Sequence, residues 1–407
     1  MTKTQNDCNG RGDLRVCPIN KSGKYHLGEY DSGEHDSGEH AGSPLRKIIH
    51  HSGKYNREHM IPHSKPTLDQ RDYDAVLKVL RSGHISQGEY VKRFEAILSE
   101  FVGVKGGVAT NSGTSALHLA LLALEAGKGD EIILPSYVCT ALLNAINYVG
   151  ATPILVDIEP DSFNLDAKRV KESLTEKTKA IIVPHLFGLP ADMEELLSFE
   201  IPLIEDCAQA LGAKYKGKQA GSFGTLSIFS FYATKVIASG EGGMVLSDSP
   251  HLLERVRDLR DYDNRDDYKI RFNYKMTDLQ AALGISQMEK LPSFLERRGS
   301  IANRYSLELA NTPALLPTGY PGKEHIFYRY VIRVEGELER LLEQIKREGV
   351  CCERPVYRPL HYYLGHSDFP QTEIIWNSAL SIPIYPSLTF GEVTEVIKGV
   401  KGLIEER

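Results

Sequence analysis

A chain of 407 residues, 41% of them hydrophobic, is long enough to fill one large core and one smaller one. A formal net charge of −6 and a pI near 6.2 argue against nucleic acid as the main partner. No apolar run approaches the roughly 20 residues of a membrane span, and the polar start at Met1 lacks the apolar segment of a secretion signal.

Six cysteines (Cys8, Cys17, Cys139, Cys207, Cys351 and Cys352) show neither a CxxC pair nor zinc spacing, so a reduced, cytoplasmic protein with buried thiols is expected. Residues 1–60 have a different texture from the rest. They repeat Asp-Ser-Gly-Glu-His at 31–35 and 36–40, and Ser-Gly-Lys-Tyr at 22–25 and 52–55. Such a stretch has too few apolar residues to offset its ordering entropy and reads as a flexible or loosely docked extension. Seven of the 14 histidines precede residue 64, but no strand or helix there fixes ligand geometry, so no metal is assigned.

From Leu68 the pattern is globular. Helical spacing over Asp69–Arg81 ends at Gly83, and a second amphipathic helix follows over Gln87–Phe101. Short apolar strands then alternate with helical stretches, at Gly107–Ala109, Glu131–Leu134, Pro153–Val156, Ala180–Pro184, Pro202–Ile204, Leu226–Phe231 and Met244–Leu246. Strands this apolar predict an α/β fold, a mainly parallel sheet with helices on both faces. Thr277 and Gln280 form a capping box, so a long helix starts near Met276. Strands at Phe327–Val334 and Leu380–Ile384, with helices at Leu338–Glu348 and Phe390–Glu406, predict a smaller C-terminal α+β unit. The domains expected are a large one over 61–310 and a small one over 311–407.

In an open α/β sheet, ligands lie outside the carboxyl ends of the strands. His185, Asp206 and Lys235 each follow a strand directly, so one crevice can gather them. Lys235 leaves the apolar run Phe229–Phe231 ahead of Gly240-Glu241-Gly242-Gly243. Asp206 closes Ile201–Glu205, with Gln209 one helical turn on. A lysine amine and an acid of this kind match pyridoxal 5'-phosphate chemistry, in which the amine holds the cofactor and the acid keeps the ring nitrogen protonated. The ordinary alternatives are a surface lysine and a solvated carboxylate. Gly113, Thr114 and Ser115 open an apolar helix whose leading N–H groups suit a phosphate, or else serve a plain N-cap. Ser230 either donates to that phosphate or bonds backbone.

The ordered set Ser82-Gly83 with Gln87-Gly88, Ser112–Leu117, Glu205–Gln209, Gly221–Gly224, Ser230-Phe231 with Lys235, Gly240–Gly243 and Asn273–Met276 resembles the DegT/DnrJ/EryC1/StrS family over roughly residues 60–405. These are pyridoxal phosphate-dependent sugar aminotransferases of the aspartate aminotransferase fold type. The resemblance implies an internal aldimine at Lys235, ring-nitrogen contact at Asp206, ring-oxygen contact at Gln209, and phosphate contacts at Gly113, Thr114 and Ser230. It also implies a homodimer in which Asn273 reaches the neighbouring subunit's cofactor.

Cys139 stands where the family places an aromatic on the ring, so either Cys139 or Tyr137 packs there, Cys139 being favoured. Retention of Lys235, where sugar dehydratases of the family carry His, points to amino transfer. The expected reaction moves an amino group from an amino acid, by analogy L-glutamate, to a keto sugar by ping-pong kinetics. Arg354, Tyr357, Arg358 and His361 in a Pro-stiffened loop, with His185, are the candidate contacts to a nucleotide-linked acceptor, and Tyr328 and Arg329 are further ones. The competing readings are a PLP enzyme acting on a keto cyclitol and a non-catalytic PLP-binding sensor.

Overall fold

A computed structural model describes residues 60–405. The repeats and the histidines up to His59 lie outside the described residues. The described chain opens on two amphipathic helices, α1 (Gln70–Ser82) and α2 (Glu89–Val102). Asp69 caps α1 by accepting from the Arg71 N–H, and Asp72 in the first turn accepts from the Asp69 N–H.

Seven strands build the main sheet: β1 (Gly106–Thr110), β2 (Glu131–Pro135), β3 (Thr152–Val156), β4 (Thr178–Pro184), β5 (Leu203–Asp206), β6 (Leu226–Ser230) and β7 (Gly243–Ser247). Their spatial order is β1-β7-β6-β5-β4-β2-β3. Strands β2 to β6 pair in parallel, whereas β7 runs antiparallel to both of its neighbours. Central positions such as Ile132, Ile133, Ile181 and Ile182 are wholly buried, as a sheet covered on both faces requires.

Helices α3 (Gly113–Ala123) and α4 (Thr140–Val149) pack together, with α3 also lying against β6 and β7. The long helix α5 (Asp278–Leu309) begins with the Thr277–Gln280 capping box read from the sequence. Its first half supplies Ala281, Ile285 and Leu291 to the core shared with α2 and the sheet. Its second half carries Ile301, Tyr305 and Leu309 into a separate core. There they meet the antiparallel pair β8 (Tyr330–Arg333) and β9 (Ala379–Ile382) and the helices Leu338–Arg347 and Phe390–Glu405. Pro292 lies between the halves, where it removes one backbone hydrogen bond.

The start of the described chain belongs to this second core. Ile61 donates to the Gly349 carbonyl at 2.8 Å and accepts from the Cys351 N–H at 2.9 Å. Burial, helped by the Arg329 guanidinium, pushes the neighbouring His63 down to about 3. Held neutral, its Nδ1–H faces Glu353 at 3.2 Å, while Nε2 accepts from the Ser381 hydroxyl at 2.8 Å. No described helix is long and apolar enough to cross a membrane.

The sheet register gathers strand ends. Pro184 pairs with Asp206, Asp206 with Ile228, Ser230 with Gly243, and Gly243 with Thr110. The carboxyl ends of β1, β4, β5 and β6 and the start of β7 therefore share one edge, where such sheets place their ligands.

Candidate active site

Beyond Ser230 the chain folds back on itself. Phe231 donates to the Gly242 carbonyl at 2.9 Å, Ala233 to Gly240 at 3.0 Å, and Lys235 to Tyr232 at 2.8 Å. Gly242 permits this, because a Cβ there would lie 2.7 Å from Met276 Cε and 2.8 Å from the Ser239 hydroxyl. The turn presents Lys235, whose Nζ stands 5.4 Å from the centroid of the Tyr328 ring.

The surroundings tie the amine to the rest of the edge. Burial raises the Asp206 carboxyl above the usual range, and the Ala208 N–H at 3.0 Å, Lys235 and His185 oppose that rise. Cys139, next to α4, is exposed, yet protein around it raises its thiol; Asp206 adds to the rise and Lys235 opposes it. A side chain that is open to water but enclosed on most sides lines a cleft. Burial alone would raise the Tyr328 phenol, but Lys235, Arg329, the Thr234 side chain and Arg298 hold it below its usual value. Lys235, Asp206, Cys139 and Tyr328 thus lie within reach of one another's fields.

Along the same edge, the start of α3 is polar and neutral. Ser112 caps α3 by accepting from the Ser115 N–H, and the helix's leading amides have no acceptor within the helix. Gly113 sits hard against β6, since a Cβ there would fall 2.8 Å from Ser230 Cβ and 3.2 Å from its hydroxyl. A Cβ on Gly243 would collide with the Ser112 carbonyl. These glycines bring N–H groups and the Ser230 hydroxyl together as an anion cup. Gln209 accepts from the Phe187 N–H at 2.9 Å through Oε1, which leaves its amide NH2 free to donate.

Several expected contacts are corrected. His185 is 1% exposed, and its ring nitrogens are both engaged. Nδ1 accepts from Ala191 at 3.0 Å, so Nε2 carries the proton given to Glu205 at 2.9 Å. Glu205 also accepts from the N–H groups of Gly221, Phe223 and Gly224. The pair braces the segment that leads into β6, and both nitrogens of His185 are taken up within the protein. Cys207 lies near both, yet their hydrogen bonds to N–H groups already use the donor atoms a metal would need.

His361 is likewise buried, bonded to the Ser136 hydroxyl at 2.7 Å and to Glu373 at 2.8 Å, and stacked on Phe369. Ser115 gives its N–H to Ser112 and its hydroxyl proton to Asn111 at 2.7 Å, so it shapes the cup without facing it. Tyr137 is fully buried, whereas Cys139 is exposed.

Arg354 binds Glu339 at 3.0 Å and lies over the Trp376 ring at 4.5 Å. Tyr357 is 86% exposed, and Arg358 rests over Tyr362 at 5.2 Å. These three line an open groove of about 850 Å³ that none of Lys235, Asp206, Gln209 or Ser230 lines. Asn273 is exposed, and its carbonyl lies 3.5 Å from Asn111 Nδ2, beside the cup. Sequence reasoning assigned no role to Glu205, although the recurrence of glycines at 221 and 224 signalled a buried acceptor for their amides.

Comparison with known proteins agrees with this geometry. The profile of the DegT/DnrJ/EryC1/StrS aminotransferase family matches residues 66–401. A GDP-perosamine synthase of Caulobacter vibrioides is 36% identical over 357 residues, covering 82% of this chain and 95% of its own. A Streptococcus pneumoniae structure solved in its PLP form superposes with a TM-score of 0.80 at 30% identity, covering 85% and 99% of the two chains. Helicobacter pylori PseC, an aminotransferase of pseudoaminic acid biosynthesis, gives a TM-score of 0.81 at 26% identity, with 86% and 100% covered. With this sheet architecture, and with residues 66–401 matching the profile, the protein is a member of the DegT/DnrJ/EryC1/StrS family and a pyridoxal phosphate-dependent aminotransferase acting on sugars.

Proposed function

We propose that the enzyme moves an amino group from L-glutamate to a keto sugar carried on a nucleoside diphosphate, by a ping-pong route, with Lys235 and Asp206 as its catalytic residues. What supports the reading is the shared sheet edge: Asp206 ends β5, Ser230 ends β6 against Gly113, and the backbone turn beyond Ser230 carries Lys235. The nucleotide link is supported by the relative's own name, a GDP-perosamine synthase.

The residues fit pyridoxal phosphate. The cradle at Gly113, Thr114 and Ser230 suits a phosphate, and a Cβ on Gly113 would push against Ser230 in it. Gln209 NH2 suits the ring oxygen, Asp206 the ring nitrogen, and Cys139 is the residue open to the ring's face. When bound, the cofactor supplies a carbonyl that captures amines and a ring that withdraws electrons from the carbon losing its proton. Asp206 is buried, so its charge needs cationic partners, and a protonated ring nitrogen joins Lys235 in that role. Lys235 Nζ, once displaced by the donor, takes the proton from the donor's α-carbon and later returns one to the sugar carbon that gains nitrogen. The working unit is a homodimer in which the exposed Asn273 reaches the partner's cup.

The half-reaction tests this. Cofactor-loaded enzyme mixed with L-glutamate alone should release about one 2-oxoglutarate per site and then aminate an added nucleotide keto sugar without more donor. Absence of keto acid in the first step would exclude glutamate as donor.

The cup makes its own prediction. Gly113→Ala should weaken retention of pyridoxal phosphate by roughly 5- to 150-fold, because overpacking of about 1–3 kcal/mol is typical for an added methyl in a tight site and here displaces Ser230. Equilibrium dialysis reads this directly, and unchanged affinity would remove Gly113 from the phosphate site.

A further inference from the structure

We propose that Tyr328 is a positioning residue for amino transfer, its ring being the surface against which the cofactor-bearing nitrogen of Lys235 is held protonated until the donor displaces it. The inference rests on Lys235 as the cofactor-bearing lysine and assigns a role to a residue outside the motifs that identify the family.

Three observations carry it. Nζ lies 5.4 Å from the Tyr328 centroid, inside the roughly 6 Å over which a ring's negative face attracts a cation. The ring is 7% exposed and Lys235 is half-buried, so the ring face is largely shielded from water. Thr234, the residue before Lys235, also meets the phenol, so side chain and lysine-bearing turn touch at two points.

The second observation is how firmly the ring is fixed. Arg298 of α5, itself buried, donates to the carbonyls of Tyr328 at 3.1 Å, Phe327 at 3.2 Å and Ile384 at 3.0 Å. Phe327 is held in the left-handed region at φ 50°, a conformation that costs a bulky residue energy and persists only where its surroundings impose it. They do so here: the Phe327 N–H donates to His325 Nδ1 at 3.0 Å, the two rings stack at 4.2 Å, and Ile326 donates to the Gly188 carbonyl at 3.0 Å. Gly188 completes the fit, since a Cβ there would lie 2.6 Å from Ile326 Cγ1 and 3.0 Å from the Tyr328 nitrogen. A backbone held this tightly, next to the reactive amine, fits a side chain whose placement matters.

Third, the charges around Nζ leave the ring a distinct task. Asp206 faces it from β5 and Cys139 from the start of α4. Arg329 lies 5.8 Å from the same ring and is tied to His63 and Glu353, and Arg298 reaches in from α5. Both guanidinium groups approach the Tyr328 ring, so the ring stands between them and the lysine-bearing turn.

The test needs no turnover. The visible band of the loaded enzyme changes as the lysine-bound nitrogen loses its proton, and its pH midpoint is the readout. Removing the ring destabilises the cation, so Tyr328→Leu should lower the midpoint by roughly half to one and a half pH units, the usual cation–ring range. Tyr328→Phe, which keeps the ring, should leave it unchanged. Should the leucine variant fail to fold, phenylalanines with successive fluorines at position 328 keep the shape and drain the ring face, and the midpoint should fall stepwise. A midpoint that stays put across the leucine or fluorinated variants overturns the proposal. Borohydride reduction of the wild-type loaded enzyme, with peptide mapping, checks the underlying assignment separately. Label on Lys235 upholds it, and label on another lysine would overturn both.

Discussion

Lys235→Ala is expected to reduce amino transfer by at least about 10⁴-fold, since it removes both the covalent anchor and the group that moves the proton at the reacting carbon. Steady-state assays with donor and keto sugar measure the loss. The cup at Gly113 and Ser230 does not involve this side chain, so the variant should still bind pyridoxal phosphate non-covalently and release it on dialysis. Retained turnover, or a cofactor that still resists dialysis after borohydride, would mean that another lysine carries it. Alanine suits the test because the turn from Phe231 to Gly242 is held by backbone hydrogen bonds that the substitution leaves in place.

Asp206→Asn carries the second large effect. The substitution keeps an oxygen to accept from the Ala208 N–H, so the strand end should fold as before. It removes the charge that keeps a ring nitrogen protonated, and the loss expected is roughly 100- to 1,000-fold in kcat, the range for removing one preorganised electrostatic partner. Covalent attachment at Lys235 should persist, because it needs no protonated ring. Loss of attachment together with loss of rate would instead indicate that Asp206 holds the cleft together. The two variants therefore separate anchoring from activation.

Both residues stood out in the sequence for a local reason. Asp206 closes an apolar strand and Lys235 lies in the turn a few residues beyond another, and a parallel sheet delivers strand ends to a common edge. The register shows how: Asp206 pairs with Ile228 two residues before Ser230, and Ser230 with Gly243. The capping box at Thr277 and the apolar α3 were local signals of the same kind.

The enclosure of the histidines was not legible because their surroundings are not local. His361 meets Ser136 from 225 positions away, and His185 meets Glu205 from the next strand. A histidine after a strand or in a Pro-rich loop looks the same on paper whether its nitrogens face a ligand or are enclosed. Tyr328 lies 93 positions from Lys235 in the chain, and its role depends on a left-handed Phe327 and a buried Arg298, which no periodicity reveals. Ser115 was over-assigned for the opposite reason: all the small hydroxyl residues at a helix start resemble ligands, and the N-cap geometry decides which remain free. The second core drew in Ile61 and the end of α5, a long-range packing outcome that composition alone does not locate.

A crystal structure of the protein grown with pyridoxal phosphate addresses the central claim most directly. Density should run unbroken from Nζ of residue 235 into the vitamin, with the carboxylate of residue 206 at hydrogen-bonding distance from the pyridine nitrogen at the far side of the ring. A cofactor seated anywhere else, or one contacting only one of those two side chains, would contradict the account.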